Sequence, residues 1–310
     1  MKKQLVAISI AVAMIATAEL SASRSRPAPA PAPAPTTNSN SAPSNATVIY
    51  VHGFRFGLTT DTPACHLKSS CGYWGKTDNS GRQVRIVGYD GRYNPLIWGN
   101  TRGVYRLLDA LNRYCRRDQG KSCVIVNHSM GGLITGYTMA KYNADKRYNV
   151  HYVSSLVSAE GGSELANIGN PILRTLSSWT FGISDLLLKF PNAVQALTTS
   201  YARGAYDHNR NNGVIFYHIA GDTPKWYINW IFNGDHDSVV AMHTTCSYRS
   251  VADFTKCGGQ SITTGWWWWK KTTYHAPHTG HKPHPKHNAG GVGTGHTDFP
   301  DHQKYVGADL

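Results

Sequence analysis

One serine of this chain stands in a setting that suits nucleophilic chemistry. Ser129 is the middle residue of Asn127-His-Ser-Met-Gly131, which directly follows the apolar run Cys123–Val126 and precedes a helix-like stretch. A serine on a sharp turn between a buried strand and a helix projects its hydroxyl toward a substrate. Gly131 lets the strand and the helix approach each other, whereas Asn127 stands where a second glycine is usual. We therefore predict Ser129 to be a nucleophile.

Two backbone N–H groups are predicted to stabilise the charge that such a nucleophile generates. Attack on an ester carbonyl develops an oxyanion, which needs donors already aimed at it. The residue after the nucleophile, Met130, is expected to supply one N–H group. Phe54 is expected to supply the other, because His52-Gly53-Phe54 ends the apolar run Thr47–Val51 and Gly53 allows a close turn.

Four segments of the chain resemble the α/β-hydrolase superfamily and, within it, bacterial secreted lipases. They are VIYVHGF at 48–54, VIVNHSMGGL at 124–133, SAEGGSELA at 158–166 and NGDHDSVV at 233–240. The resemblance implies an α/β-hydrolase fold, a Ser-His-Asp triad and hydrolysis of carboxylic esters without a cofactor. It does not identify the substrate.

The acid of such a triad follows the serine in the chain and precedes the histidine. Asp222, Asp235 and Asp237 are the three candidates. The family pattern is an aspartate followed by one small and two apolar residues, and Asp237-Ser-Val-Val240 fits that register. We therefore favour Asp237, with Asp235 as the runner-up.

The triad histidine takes the serine proton and must come late in the chain. His296, in Thr294-Gly-His-Thr-Asp-Phe-Pro300, is favoured because lipase-like sequences often place this histidine in a late loop. His243 is disfavoured, because it is so close to the acid in sequence that the chain between them is too short to fold back onto the serine. His302 is the fallback.

The elements that must position these residues alternate between strand-like and helix-like stretches. Predicted strands cover Thr47–Val51, Val84–Val87, Cys123–Val126, Val150–Val157 and Val214–Ala220. Helical spacing of apolar residues within 101–117, and the stretch from the serine to Tyr142, predict helices. Buried runs separated by helices indicate an α/β fold with a mostly parallel central sheet and helices on both faces. The insertion 166–212 is predicted to form a lid over the carboxyl ends of the strands.

The N-terminal segment predicts secretion. Lys2 and Lys3 precede a short apolar run and the small residues Ala16 and Ala18, the pattern of a signal peptide over 1–18. Residues 19–45 are rich first in Pro and Ala and then in Ser and Asn, which indicates a disordered spacer. The catalytic domain is then expected over 46–310. The apolar run is too short for a membrane span, and no transmembrane segment is predicted.

Composition and cysteine content agree with a secreted globular enzyme. The 310 residues are 41% hydrophobic, which excludes a wholly disordered or collagen-like chain. The net charge is +13, but no Lys/Arg cluster is longer than a pair, so we predict no nucleic-acid partner. Six cysteines in a secreted chain predict three disulfides. Sequence proximity suggests Cys65–Cys71, Cys115–Cys123 and Cys246–Cys257, and the cysteine spacing lacks the paired form of a metal site.

Two further patterns have alternative interpretations. His275, His278, His281, His284 and His287 recur at every third residue and would share one face of a polyproline II helix. That strip could bind a transition metal or become cationic in acid, but no carboxylate or cysteine lies among the histidines, and a mobile solvated loop is favoured. On a strand, the side chains of Trp266–Trp269 would point alternately to its two faces. Such a strand is either buried on both sides or exposes one pair of tryptophans toward an apolar or polymeric substrate.

The sequence as a whole predicts a secreted lipase that acts at the interface of a water-insoluble acyl ester. No cofactor and no metal are predicted, and the oligomeric state is not indicated. An extracellular polyester (polyhydroxyalkanoate) depolymerase with the same triad is the first alternative, since the tryptophan run and the spacer suit a polymer. A non-catalytic envelope or polymer-binding protein on a hydrolase scaffold is the second, supported by Asn127 and the crowded histidines.

Overall fold

The computed structural model describes residues 42–54, 62–63, 74, 81–168, 189–285, 291–292 and 296. These residues all belong to a compact unit that runs from Asn40 to Leu310. The predicted signal peptide, most of the predicted spacer, the Cys65–Cys71 pair, His287 and His302 lie outside the described residues. No helix among the described residues is long and apolar enough to cross a membrane.

Eight described strands form one sheet. They are β1 (Thr47–Val51), β2 (Thr62–Pro63), β3 (Val84–Val87), β4 (Cys123–His128), β5 (Val150–Leu156), β6 (Ile215–Gly221), β9 (His281–Pro283) and β10 (Gly291–Val292). Their order is β2-β3-β1-β4-β5-β6, and β9 and β10 follow one another along the outer edge of β6. Every pair is parallel except β2 with β3. The predicted α/β class with a mostly parallel sheet is therefore confirmed.

Helices pack against the central strands through the spacing that the sequence indicated. Helix α1 (Gly103–Tyr114) buries Val104, Leu107, Leu108 and Leu111, and α2 (Met130–Tyr142) follows β4 directly. Both helices join one hydrophobic cluster with Ile49 and Val51 of β1. The alternate residues of β1, Val48 and Tyr50, pack on the opposite face with Trp74. Strand β1 is buried in every residue because both of its faces are covered.

The described part of the insertion between β5 and β6 is helical. A short 3₁₀ helix (Glu164–Asn167) is followed, after residues outside the description, by α3 (Pro191–Leu197) and α4 (Thr199–Gly204). The N–H group of Ser163 donates to the carbonyl of Leu197 at 2.8 Å and so joins the two ends of this segment. Whether the insertion moves as a lid remains a prediction.

The tryptophan run Trp266–Trp269 occupies the tip of a separate hairpin. Strands β7 (Gln260–Thr264) and β8 (Lys271–His275) pair in antiparallel fashion, and a 3₁₀ helix (Trp267–Trp269) lies in the connection between them. All four tryptophan side chains of Trp266–Trp269 are exposed. The interpretation of this run as a strand was wrong, because the strands end before and begin after it.

The histidine-rich segment is folded over its described part, 275–285. His275 ends β8, and His281 begins β9. His281 and His284 are only 4% and 1% exposed. The predictions of a solvated loop and of a polyproline II helix with one histidine face were therefore wrong, because the middle of the segment pairs with β6 as a strand.

Two of the predicted disulfides are present. Cys115–Cys123 joins the end of α1 to the start of β4, and Cys246–Cys257 joins α5 (Met242–Thr245) to the segment that precedes β7. Both pairs are buried.

Candidate active site

The serine turn has a strained backbone that neighbouring strands hold in place. Ser129 lies between β4 and α2 with φ 55° and ψ −126°, a region that L-residues with a side chain seldom occupy. Its N–H group donates to the carbonyl of Leu156 at 3.1 Å, and its carbonyl accepts from the N–H group of Ala159 at 2.9 Å. The end of β5 and the loop after it therefore fix the direction of the serine hydroxyl.

Glycines let the helix after the serine approach the sheet. A Cβ atom at Gly131 would lie 2.3 Å from the carbonyl oxygen of Val51, and one at Gly132 would lie 1.7 Å from the hydroxyl of Ser158. Asn127, where glycine was expected, is an ordinary member of β4 that pairs with Val51, and it is fully buried. The glycines after the serine, and not the residue two positions before it, therefore provide the space that this turn needs.

Three predicted residues meet in one hydrogen-bonded chain. The Nε2 atom of His296 lies 2.9 Å from the Oγ atom of Ser129, and its Nδ1 atom lies 2.8 Å from Oδ2 of Asp237. All three residues are less than 10% exposed. Since a carboxylate only accepts, Nδ1 carries the proton and Nε2 is left to accept one from the serine. The arrangement can activate a hydroxyl nucleophile.

The loop after β6 holds the carboxylate of Asp237 in this orientation. Its Oδ1 atom accepts the N–H groups of Val239 at 2.9 Å and Val240 at 2.7 Å, which leaves Oδ2 for the histidine. The hydroxyl of Ser163 donates to the carbonyl of Val239. Ser238 accepts the N–H group of Lys225 at 2.7 Å through its hydroxyl. The SAEGGSELA segment and the acid loop are thereby joined.

The competing candidates lie elsewhere. Burial raises the pKa of Asp235, with smaller contributions from nearby aspartates, and its carbonyl accepts the N–H group of Met242. His243 lies in α5, and its Nε2 atom is 2.7 Å from the Oε1 atom of Glu164. Asp222 is exposed. Among the described residues, the serine–histidine chain thus ends on Asp237.

The first residue of α2 is suited to donate to an oxyanion. Met130 follows the serine and begins the helix. The first N–H groups of a helix have no carbonyl one turn earlier to bind, and they carry partial positive charge. The N–H group of Met130 therefore belongs to the end of α2 that attracts developing negative charge.

The loop expected to supply the second donor is held by Tyr89. The Tyr89 hydroxyl donates to the carbonyl oxygens of His52 at 2.6 Å and Gly53 at 2.9 Å. The His52 ring stacks on Tyr89 with 3.9 Å between ring centroids, and its Nε2 atom accepts the N–H group of Tyr89 at 3.3 Å. The Phe54 ring lies 6.1 Å from that of Phe190 in the insertion.

His128 is a neighbour of the triad that sequence reasoning did not single out. Its Nε2 atom lies 2.9 Å from the carbonyl oxygen of His296, so that nitrogen carries a proton and donates. Burial lowers the pKa of His128 well below its usual value, and the nearby His296 lowers it further. The ring is therefore neutral, and it holds the backbone of His296. The sequence signal for this neighbour was its position directly before Ser129.

A second buried group of polar side chains lies among the same strands. Glu160, His218 and His281 offer ligand atoms that all lie within 4.8 Å of one another. The sequence did not predict this group, because its members come from three separate parts of the chain.

The chain is similar to lipid-acting proteins over part of its length. Residues 66–202 match the family model of lecithin:cholesterol acyltransferase. Among solved structures, the mature lipase BlEst2 of Bacillus licheniformis is 17% identical, with a TM-score of 0.44, over 66% of this chain and 80% of that one. Phospholipase PlaB of Legionella pneumophila is 15% identical, with a TM-score of 0.44, over 76% of this chain and 51% of that one. No curated protein matches the chain in sequence.

The position of the serine in the fold agrees with this similarity. The strained serine follows an inner strand of a parallel sheet and opens the next helix, which is the setting of the nucleophile in this superfamily. The described residues therefore have an α/β-hydrolase-like fold, and residues 66–202 are similar to the lecithin:cholesterol acyltransferase family.

Proposed function

We propose that this protein is a serine carboxylic-ester hydrolase, and most specifically a lipase that acts on water-insoluble acyl esters. The observation that carries the proposal is the buried hydrogen-bonded chain from Asp237 through His296 to Ser129. Similarity to an acyltransferase family that acts on lipids supports the lipid class of substrate.

The reaction follows from these positions. Ser129 Oγ attacks the acyl carbonyl carbon while its proton moves to His296 Nε2, and Asp237 stabilises the imidazolium. The N–H groups of Met130 and Phe54 are proposed to bind the oxyanion of the tetrahedral intermediate. Collapse of the intermediate breaks the ester bond, and the leaving alcohol takes the proton from His296. A water molecule then adds to the acyl-enzyme by the reverse proton route and releases the acid.

The proposed site of action is outside the cytoplasm. The signal-peptide pattern over 1–18 supports secretion. The disulfides Cys115–Cys123 and Cys246–Cys257 support it as well, since such bonds persist in oxidising compartments.

Labelling with a fluorophosphonate tests the enzyme proposal. Such a probe reacts covalently with an activated serine, so wild-type protein and the surface control Ser250→Ala should be labelled, whereas Ser129→Ala should not. Hydrolysis of p-nitrophenyl butyrate and palmitate should follow the same pattern. Wild-type protein that neither reacts with the probe nor cleaves these esters would contradict the proposal and favour the non-catalytic alternative.

A polyester depolymerase is the second candidate, and the four exposed tryptophans of Trp266–Trp269 favour it. Exposed aromatic side chains suit adsorption to a solid apolar polymer as well as to an oil surface. Initial rates on a triglyceride emulsion and on a polyhydroxybutyrate film, normalised to p-nitrophenyl butyrate, distinguish the two. A lipase should prefer the emulsion by at least about tenfold, a factor that corresponds to about 1.4 kcal/mol of transition-state binding.

A further inference from the structure

Three buried side chains, one from a loop and two from strands, converge at the sheet edge that β6 shares with β9. Glu160 lies in the loop after β5, His218 in β6 and His281 in β9. They are 0%, 1% and 4% exposed. The Nε2 atom of His218 lies 2.8 Å from Nδ1 of His281, and that Nδ1 atom lies 3.5 Å from Oε2 of Glu160. A hydrogen bond between two ring nitrogens needs only one proton, so at least one of the two facing nitrogens presents a lone pair.

A hydrogen bond outside the group determines which nitrogen of His281 presents a lone pair to its centre. The Nε2 atom of His281 lies 3.2 Å from the carbonyl oxygen of His208. Because a carbonyl only accepts, this nitrogen carries the proton, and Nδ1 of the neutral ring faces His218 with a lone pair. Ser247 donates its hydroxyl to Glu160 Oε2 at 2.6 Å. Histidine ligands of metals characteristically donate their second nitrogen to a carbonyl in this way.

We propose that Glu160, His218 and His281 bind one transition-metal ion, with zinc as the best fit. Two imidazole nitrogens and one carboxylate oxygen are a donor set that zinc accepts, whereas calcium requires six or more oxygen ligands. Zinc–nitrogen bonds of about 2.0–2.1 Å in a tetrahedral arrangement place two nitrogens about 3.3 Å apart. The two rings therefore have to separate by about half an ångström from the 2.8 Å seen between them.

The ion would fix the segment that leads to the catalytic histidine. Strand β9 contacts β6 over only three residues, and β10 over two, before the chain reaches His296. Ala159, which is adjacent to Glu160, donates its N–H group to the carbonyl of Ser129. Binding at this position would join the β5 loop, β6 and β9 and would be a source of folding stability, since the unfolded chain has no such preformed site.

Metal content and a cobalt spectrum test the proposal on the full secreted chain, purified without a histidine tag. After dialysis against micromolar zinc and then metal-free buffer, elemental analysis should find about one zinc per chain. Replacement of zinc by Co²⁺ should give the visible absorption bands of a tetrahedral site. Glu160→Gln and His218→Asn should each lose the ion and the spectrum. His275→Asn, which removes a histidine from the same segment but outside the group, should keep both.

Two results would overturn the proposal. One is wild-type protein that takes up no zinc and shows no rise in melting temperature when zinc is added. The other is zinc that Glu160→Gln and His218→Asn retain as wild type does, which would mean that surface histidines hold it. If a variant fails to fold, the cobalt spectrum of the wild-type protein tests the site by itself. A spectrum with octahedral bands alone would contradict the proposed tetrahedral site. None of these measurements depends on ester hydrolysis, so this proposal and the enzyme proposal can fail separately.

Discussion

Two residues outside the proposed triad hold the backbone around it. Tyr89 holds the loop His52–Phe54 through two hydrogen bonds to carbonyl oxygens, and His128 holds the backbone of His296. Neither side chain is predicted to touch the substrate. Both hold groups that are proposed to contact the substrate, and the loss of either should therefore affect transition-state stabilisation more than substrate binding.

Replacing Tyr89 with Phe tests the first of these roles. The variant loses the hydroxyl that is donated to His52 and Gly53 but keeps the aromatic stack, so the loop that presents Phe54 should become less rigid. We expect kcat for p-nitrophenyl butyrate to fall about tenfold with little change in KM, since removing an oxyanion donor outright costs about 100-fold or more. Tyr142→Phe, at a partly exposed position, is the matched control. An unchanged kcat would contradict this role for Tyr89.

The buried imidazole of His128 should make stability depend on acidity. Its pKa in the folded state lies well below its usual value because of burial, whereas in the unfolded chain it is about 6.5. The unfolded state therefore binds more protons below about pH 6.5, and the free energy of unfolding should fall as the pH decreases from there. Urea unfolding at pH 7.5 and 5.5 measures this loss. His128→Gln should lose less stability over this interval than wild type, whereas His275→Asn should behave as wild type.

At the scale of elements, the strands and helices that local sequence patterns determine could be predicted. Strands β1 and β3 to β6 and the helices α1 and α2 follow from apolar runs and helical spacing, and the Ser129 turn follows from its position between β4 and α2. Strands β9 and β10 could not be predicted, because each is two or three residues long and exists only through pairing with β6. The tryptophan run was misassigned because strand propensity does not show where a hairpin turns. The group of Glu160, His218 and His281 depends on that same distant pairing.

The close contact between α2 and β1 gives a prediction at this scale. A Cβ atom at Gly131 would lie 2.3 Å from the carbonyl oxygen of Val51 and 2.7 Å from that of His52. Because both are backbone atoms, the helix as a whole must move. We expect Gly131→Ala to lower the free energy of unfolding in urea by about 2–3 kcal/mol. Gly204→Ala, where a Cβ atom meets nothing within 4 Å, should have an effect below about 1 kcal/mol. Equal stability of the two variants would contradict this.

At the scale of the whole molecule, charge and exposed aromatic surface act together. The chain carries a net charge of +13, and the hairpin tip Trp266–Trp269 is followed directly by the exposed residues Lys270 and Lys271. Aromatic side chains that lie next to lysines suit the boundary between water and an anionic apolar phase. An enzyme with an insoluble substrate gains from such a surface, because adsorption brings the catalytic site to the interface where the ester lies.

Vesicle binding separates this contribution from catalysis. Wild-type protein should sediment with vesicles that contain phosphatidylglycerol more than with phosphatidylcholine alone, and this difference should shrink as salt is raised because exposed charges are screened. Replacing all four residues of Trp266–Trp269 with Ala should lower vesicle affinity by about tenfold or more and leave hydrolysis of soluble p-nitrophenyl butyrate unchanged. Trp98→Ala, at an exposed tryptophan in the loop between β3 and α1, is the control and should bind as wild type. If the hairpin variant adsorbs as well as wild type, the hairpin tip is not the contact surface. If the variant loses activity on the soluble ester, the hairpin supports the fold or the active site instead.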